Sequence, residues 1–181
     1  MTPTETLKHE HQIILLVLTG AEREVTQIGE TGRVSAETVG EMVDLFRNFV
    51  DRCHHAKEER HLFPRMQERG IPREGGPIEV MLHEHDLGRA HVRAMAEALP
   101  QAAEGDAEAA ATVAEHLGGY AELLRAHIDK ENTILFVIAD QVLTAEYQRE
   151  LEEAFERLEA EEIGAGVHEK YHQLAHRLAE G

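Results

Sequence analysis

Two segments of the chain each set a histidine and a carboxylate four residues apart: His54 with Glu58, and His127 with Glu131. On a helix that spacing puts both side chains on one face. Aligned on their histidines without a gap, the segments also match Lys57 with Lys130, Leu62 with Leu135 and Phe63 with Phe136. That agreement goes beyond the coincidence of one His and one Glu. An imidazole and a carboxylate on one helix face are half of a metal site, so two such pairs predict a two-metal centre with the carboxylates bridging.

Helical phase, at roughly 100° per residue, divides the adjacent histidines of the first segment. Met42, Val43, Phe46, Phe49, Val50 and Cys53 mark the apolar face; His54 falls near it and His55 near the opposite side. The phase therefore predicts His54 and Glu58 inward, with His55 and Glu59 solvated. Cys53, at an apolar helix position, reads as a core residue.

Helices must carry these groups. A first helix is predicted from Pro3 to about Ile28, with His11 on the stripe of Leu7, Ile14, Leu15 and Leu18. Ser35 is a plausible N-cap for the second, which carries the motif to Pro64 or Arg69. Pro77 suits the first turn of a third helix, to about Leu99, on which His85 lies in line with Met81, Gly88, Val92 and Met95. Pro100 and Gly105 are expected to break the chain. A fourth helix then runs to about Asp140, with Tyr120, Leu124, His127, Glu131, Ile134 and Leu135 on one face. Tyr120 reads as a core tyrosine or as a pocket phenol near the metals. Thr144 caps a fifth helix, and Gly164 and Gly166 precede a short last one. His168, His172 and His176 recur there at four-residue intervals, which is ligand spacing without a carboxylate partner. The fold class is all-α, an up-down-up-down four-helix bundle over residues 1–141 with two additional C-terminal helices, 142–181, packed on it.

Length and composition agree. A chain of 181 residues can bury a core unaided, and the absence of Trp with abundant Ala, Leu and Glu favours helix. A net charge of −17 argues against nucleic acid or an anionic membrane as partner. One cysteine allows no internal disulfide, and no apolar run reaches the length of a bilayer span, so a reducing, cytoplasmic setting is expected. Thirteen histidines point at metal. The inward set is His11, His54, Glu58, His85, His127 and Glu131, and its nitrogen and oxygen donors suit iron, manganese or zinc better than copper(I) or an iron–sulfur cluster.

The order His11, His54-x-x-x-Glu58, His85, His127-x-x-x-Glu131 over about residues 4–140 resembles the hemerythrin-like HHE cation-binding domains, and the strings Glu10-His11, Leu62-Phe63-Pro64 and Glu84-His85-Asp86 are similar to those of bacterial members. The resemblance implies a non-haem di-iron centre, bridged by the two carboxylates and by oxo or hydroxo, with zinc or manganese as substitutes. It also implies a small diatomic or peroxide ligand: dioxygen, reactive oxygen species or nitric oxide. Two departures stand out. Oxygen-carrying members place a second histidine one turn along the third helix, where this chain has Met81 or Arg89, and the fourth helix offers Glu131 at four residues where they have an aspartate at five. One imidazole fewer would leave an open position, which favours reaction over reversible carriage. The functional expectation is a di-iron protein that binds or senses these ligands. The alternative is a di-iron enzyme acting on peroxide or nitric oxide, or an iron donor for iron–sulfur cluster repair, with an unknown redox partner.

Overall fold

The computed structural model describes residues 1–181 and contains no strand. Six helices follow one another: α1 (Pro3–Thr31), α2 (residues 36–68), α3 (Pro77–Ala103), α4 (107–142), α5 (145–163) and α6 (Val167–Glu180). The first four form the expected antiparallel bundle. Thr2 opens α1 through a reciprocal cap, its hydroxyl accepting from the Glu5 amide while the Glu5 carboxylate accepts from its own. Ser35 sits at the N-cap of α2, but its hydroxyl bonds Thr38 instead of the helix backbone.

Two expectations about helix ends and faces need correction. Pro100 does not end α3, which continues to Ala103. A proline so near the C-terminus forfeits one backbone hydrogen bond in a turn that is already giving up partners. Ile134 does not share the core face of α4; it is 51% exposed, and Ile128 is buried in its place. Ile128 is on the core face by ordinary α spacing from Leu124, and local winding turns Ile134 out. Phe136 donates its amide to Glu131 O, five residues back, so the stretch Glu131–Leu135 is a wide π turn that advances less per residue than an α-helix. The same turn occurs at Glu58–Leu62, where the Phe63 amide bonds Glu58 O, and a longer one spans Phe46–His55. Both motif repeats thus carry the same backbone irregularity at the same place.

A polar layer divides the core. One apolar body holds Ile14, Val17, Leu18, Phe46, Phe49, Val92, Leu117 and Leu124. A smaller one holds Leu7, Leu62, Phe63, Met81, Leu135 and Phe136, closed over by Leu151 and Phe155 of α5. α6 lies along α1 so closely that a Cβ on Gly20 would stand 2.5 Å from Leu178 O. Tyr171 Oη donates to Asp44 Oδ2 at 2.9 Å, and Arg23 donates to the last carbonyls of α6. No helix is long and apolar enough to cross a membrane.

Candidate metal centre

The layer between the two apolar bodies is built by the histidines and glutamates of the motifs. His11, His54, Glu58, His85, His127 and Glu131 all converge there, each at most 1% exposed. A seventh residue joins them: His55, expected in solvent, is 4% exposed. The wide winding of Phe46–His55 explains it. With fewer degrees turned per residue, His54 and His55 both stay on the inner face, and a phase computed for an α-helix fails there. Glu59 was likewise expected outside; it is half-buried and accepts a hydrogen bond from His85 Nδ1 at 2.8 Å. The only signal in the sequence for these two was their adjacency to His54 and Glu58.

The donor atoms fall into two groups that share Glu58: His11, His54, Glu58 and Glu131, and His55, His85, His127 and Glu58, the ligand atoms of each lying within 4.8 Å of one another. Glu58 stands between the groups, Oε1 3.4 Å from His54 Nε2 and Oε2 3.2 Å from His85 Nε2. Glu131, a member of the first group only, faces both sides through a single oxygen, Oε1, 3.6 Å from His11 Nε2 and 2.6 Å from His127 Nε2. The count is five imidazoles, and the inference of one histidine fewer falls with it; the fifth comes from α2 instead of α3.

Outer partners orient the rings. His11 Nδ1 donates to Asn132 Oδ1 at 2.7 Å, His85 Nδ1 to Glu59, and His127 Nδ1 to Glu84 at 3.0 Å, which turns each Nε2 toward the layer. His54 Nδ1 stands 3.7 Å from Glu10 Oε1, too far for a hydrogen bond. Glu10 in turn accepts from the buried Lys57 at 2.9 Å, while Glu84 pairs with Lys130. The aligned lysines therefore do one job twice: each holds the carboxylate behind a histidine.

Without a cation the layer is electrostatically unfinished. His11 Nε2, both oxygens of Glu58 and Glu131 Oε2 are buried and lack hydrogen-bond partners, a condition that costs about 1–3 kcal/mol per group, while Glu131 Oε1 is paired with His127. Burial and the facing Glu131 push Glu58 well above the carboxylate range. Burial would raise Glu131 too, but His127, Glu58 and His11 hold it well below. Burial drives His54 down to about 4 and, with the neighbouring imidazoles, drives His55 well below its usual value, so both rings are neutral and carry a free lone pair. A divalent cation in each group would satisfy these oxygens and nitrogens at once, and the nitrogen–oxygen donor set fits iron, manganese or zinc.

Other residues singled out by sequence are also placed. Cys53 is buried, and burial with the Glu10 charge pushes its thiol up to about 12, so it is an inert core group. Tyr120 belongs to neither donor group but lines a cavity of about 220 Å³ with His55 and His85. His172 and His176 approach to 3.0 Å on the surface while His168 packs on Phe49, and the three join no group of metal donors.

Comparison with known proteins agrees with this geometry. The family profile of the hemerythrin HHE cation binding domain matches residues 2–139. Proteins described only as uncharacterized, from Mycobacterium tuberculosis and Mycobacterium bovis, are 24% identical over 164 residues, covering 91% of this chain and 64% of their own length. This chain therefore spans somewhat under two thirds of the relatives it matches. No solved structure matches.

Proposed function

Because the chain belongs to the hemerythrin HHE cation-binding domain family, we propose that its buried layer holds two iron ions, with His11 and His54 on one, His55, His85 and His127 on the other, and Glu58 and Glu131 between them. The observation that carries this reading is the set of orphaned carboxylate oxygens facing neutral imidazoles inside an apolar bundle. Zinc or manganese would satisfy the same donors. When bound, the iron pair supplies a redox-active site able to meet dioxygen, peroxide or nitric oxide, and the protein acts as a binder or sensor of such ligands.

The chain's own residues support that role. Asn132, Glu59 and Glu84 fix the rings, Phe63 and Phe136 stack on His85 and His11, and the two apolar bodies exclude bulk water from the layer. Turnover of peroxide or nitric oxide is the second reading, favoured by the cavity that reaches His55 and His85.

Metal analysis of protein grown with iron, with an optical spectrum before and after oxygen, tests the first reading. About two irons per chain and an oxygen-dependent band are expected. One tightly bound zinc with no second site on titration would sink it. Catalytic consumption of peroxide or nitric oxide by the iron-loaded protein would decide for the second reading.

A further inference from the structure

The cavity beside the centre carries a charge opposite to that of the molecule. In a chain with 35 acidic residues against 18 lysines and arginines, Arg47, Arg89 and Arg93 all line it. Arg89 is committed, bonding Asp51, Glu59 and Asp86 at 2.9 Å each. Arg47 and Arg93 form no ion pair or side-chain hydrogen bond, and both are exposed at the cavity. Gly88 lines the cavity beside Tyr120, whose ring would stand 3.4 Å from an added Cβ; in the repeat that relates Glu10-His11 to Glu84-His85, Gly88 takes the place of Ile14, which is buried.

We infer that this cavity is a binding site for a small oxyanion, an organic carboxylate or an inorganic oxyanion such as nitrite, gripped by Arg47 and Arg93 and seated over Gly88 against the ring of Tyr120. Arginine suits such a ligand because its planar donor fork meets two acceptor oxygens and its charge does not titrate away. The acidic surface around the cavity repels anions, so the two uncommitted guanidinium groups supply the attraction that would hold one there. The site rests on the cavity and its arginines, so it stands whether or not the neighbouring layer carries metal.

The test titrates formate and nitrite separately, at constant low ionic strength, into the full chain, both zinc-loaded and metal-free. Binding is read in every variant from the ring NMR signals of Tyr120, which lines the cavity, with the arginine side-chain signals as a second reporter where they are retained, and zinc content is measured in parallel. Saturable shifts of the Arg47 and Arg93 signals are expected in both forms, with the tighter probe telling an organic from an inorganic ligand. The double variant R47Q/R93Q should weaken binding about tenfold or more, R47K/R93K should restore part of it, and Gly88→Ala should weaken it without touching the arginines. Shifts that never saturate, or equal binding by R47Q/R93Q, overturn the site. Failure of the wild-type chain to take up zinc overturns the metal reading alone, and the metal-free titration still decides the anion site.

Discussion

The two repeats of the bundle build nearly the same structure and differ in one corner. Glu10, His11, His54, Lys57 and Glu58 have counterparts in Glu84, His85, His127, Lys130 and Glu131, and even the outer contacts correspond: His11 to Asn132 mirrors His85 to Glu59, and the ring of Phe136 on His11 mirrors Phe63 on His85. The difference lies where α2 meets α3. There His55, Asp51, Gly88 and Arg89 stand in places that the other repeat fills with Ile128, Leu124, Ile14 and Leu15. Ile128, Leu124 and Ile14 are buried and close their corner, whereas the polar and small residues open a cavity and add an imidazole. A duplicated scaffold thus gains a sealed side and an accessible side by changing a few side chains at one helix crossing.

The largest expected effect tests what the halves share. Glu58→Ala removes the carboxylate common to both donor groups, and metal content should fall from about two ions per chain to near none. Retention of one tightly bound ion would mean that the halves bind independently.

Next, His55→Ala should cost the accessible half its ion and leave about one per chain, since His11, His54 and Glu131 are untouched. Unchanged metal content in that variant would reduce His55 to a packing residue stacked 3.8 Å from His85.

The two lysines should separate in stability. Lys57 is 1% exposed against Glu10, and Lys57→Met leaves that carboxylate buried and unpaired, at a cost of about 3–5 kcal/mol. Lys130 is 37% exposed, and Lys130→Met should cost about 1 kcal/mol or less. Urea unfolding of the metal-free proteins checks both, and equal losses would deny the asymmetry.

The smallest effect is a shift of midpoint with pH in the metal-free chain. Burial holds His54 near 4, so the unfolded chain takes up that proton first and stability falls as pH drops below about 6.5. Burial would raise Glu10, but His54 and Lys57 bring it to about 2, and its contribution is lost from about 4.5 downward. His127 behaves oppositely: burial lowers it, Glu131 and Glu84 outweigh burial and raise it to about 9, and its contribution is complete below about 6.5 and lost as pH rises through 9. Thermal midpoints should therefore decline on both sides of neutrality. Metal should hold the acid side to lower pH, because ligation competes with protonation. A metal-free midpoint that is flat from pH 5 to 9 would contradict these shifts.

Much of this was legible in the residues alone. The matched pairs His54 with Glu58 and His127 with Glu131, and the single histidines on the stripes of α1 and α3, specified the helices, their inward faces and six of the seven converging groups, because side-chain direction on a regular helix follows from spacing. Burial of Cys53 followed from the same periodicity. The position of His55, the exposure of Ile134 and the continuation of α3 through Pro100 did not. Each depends on where the backbone leaves α geometry or tolerates a missing bond, and packing decides that.

Sequence by itself therefore determined the donor types, their order and the bundle that gathers them, since these depend on local periodicity and chemistry. Only the tertiary structure decided that α2 unwinds into π turns between Phe46 and Leu62, because the gain from bringing His55 beside His85 and His127 is realised only when α3 and α4 are in place. The cavity belongs to the same class of fact: Gly88 is an absence of side chain, and what fills or lines the space beside it is set by Tyr120 of another helix.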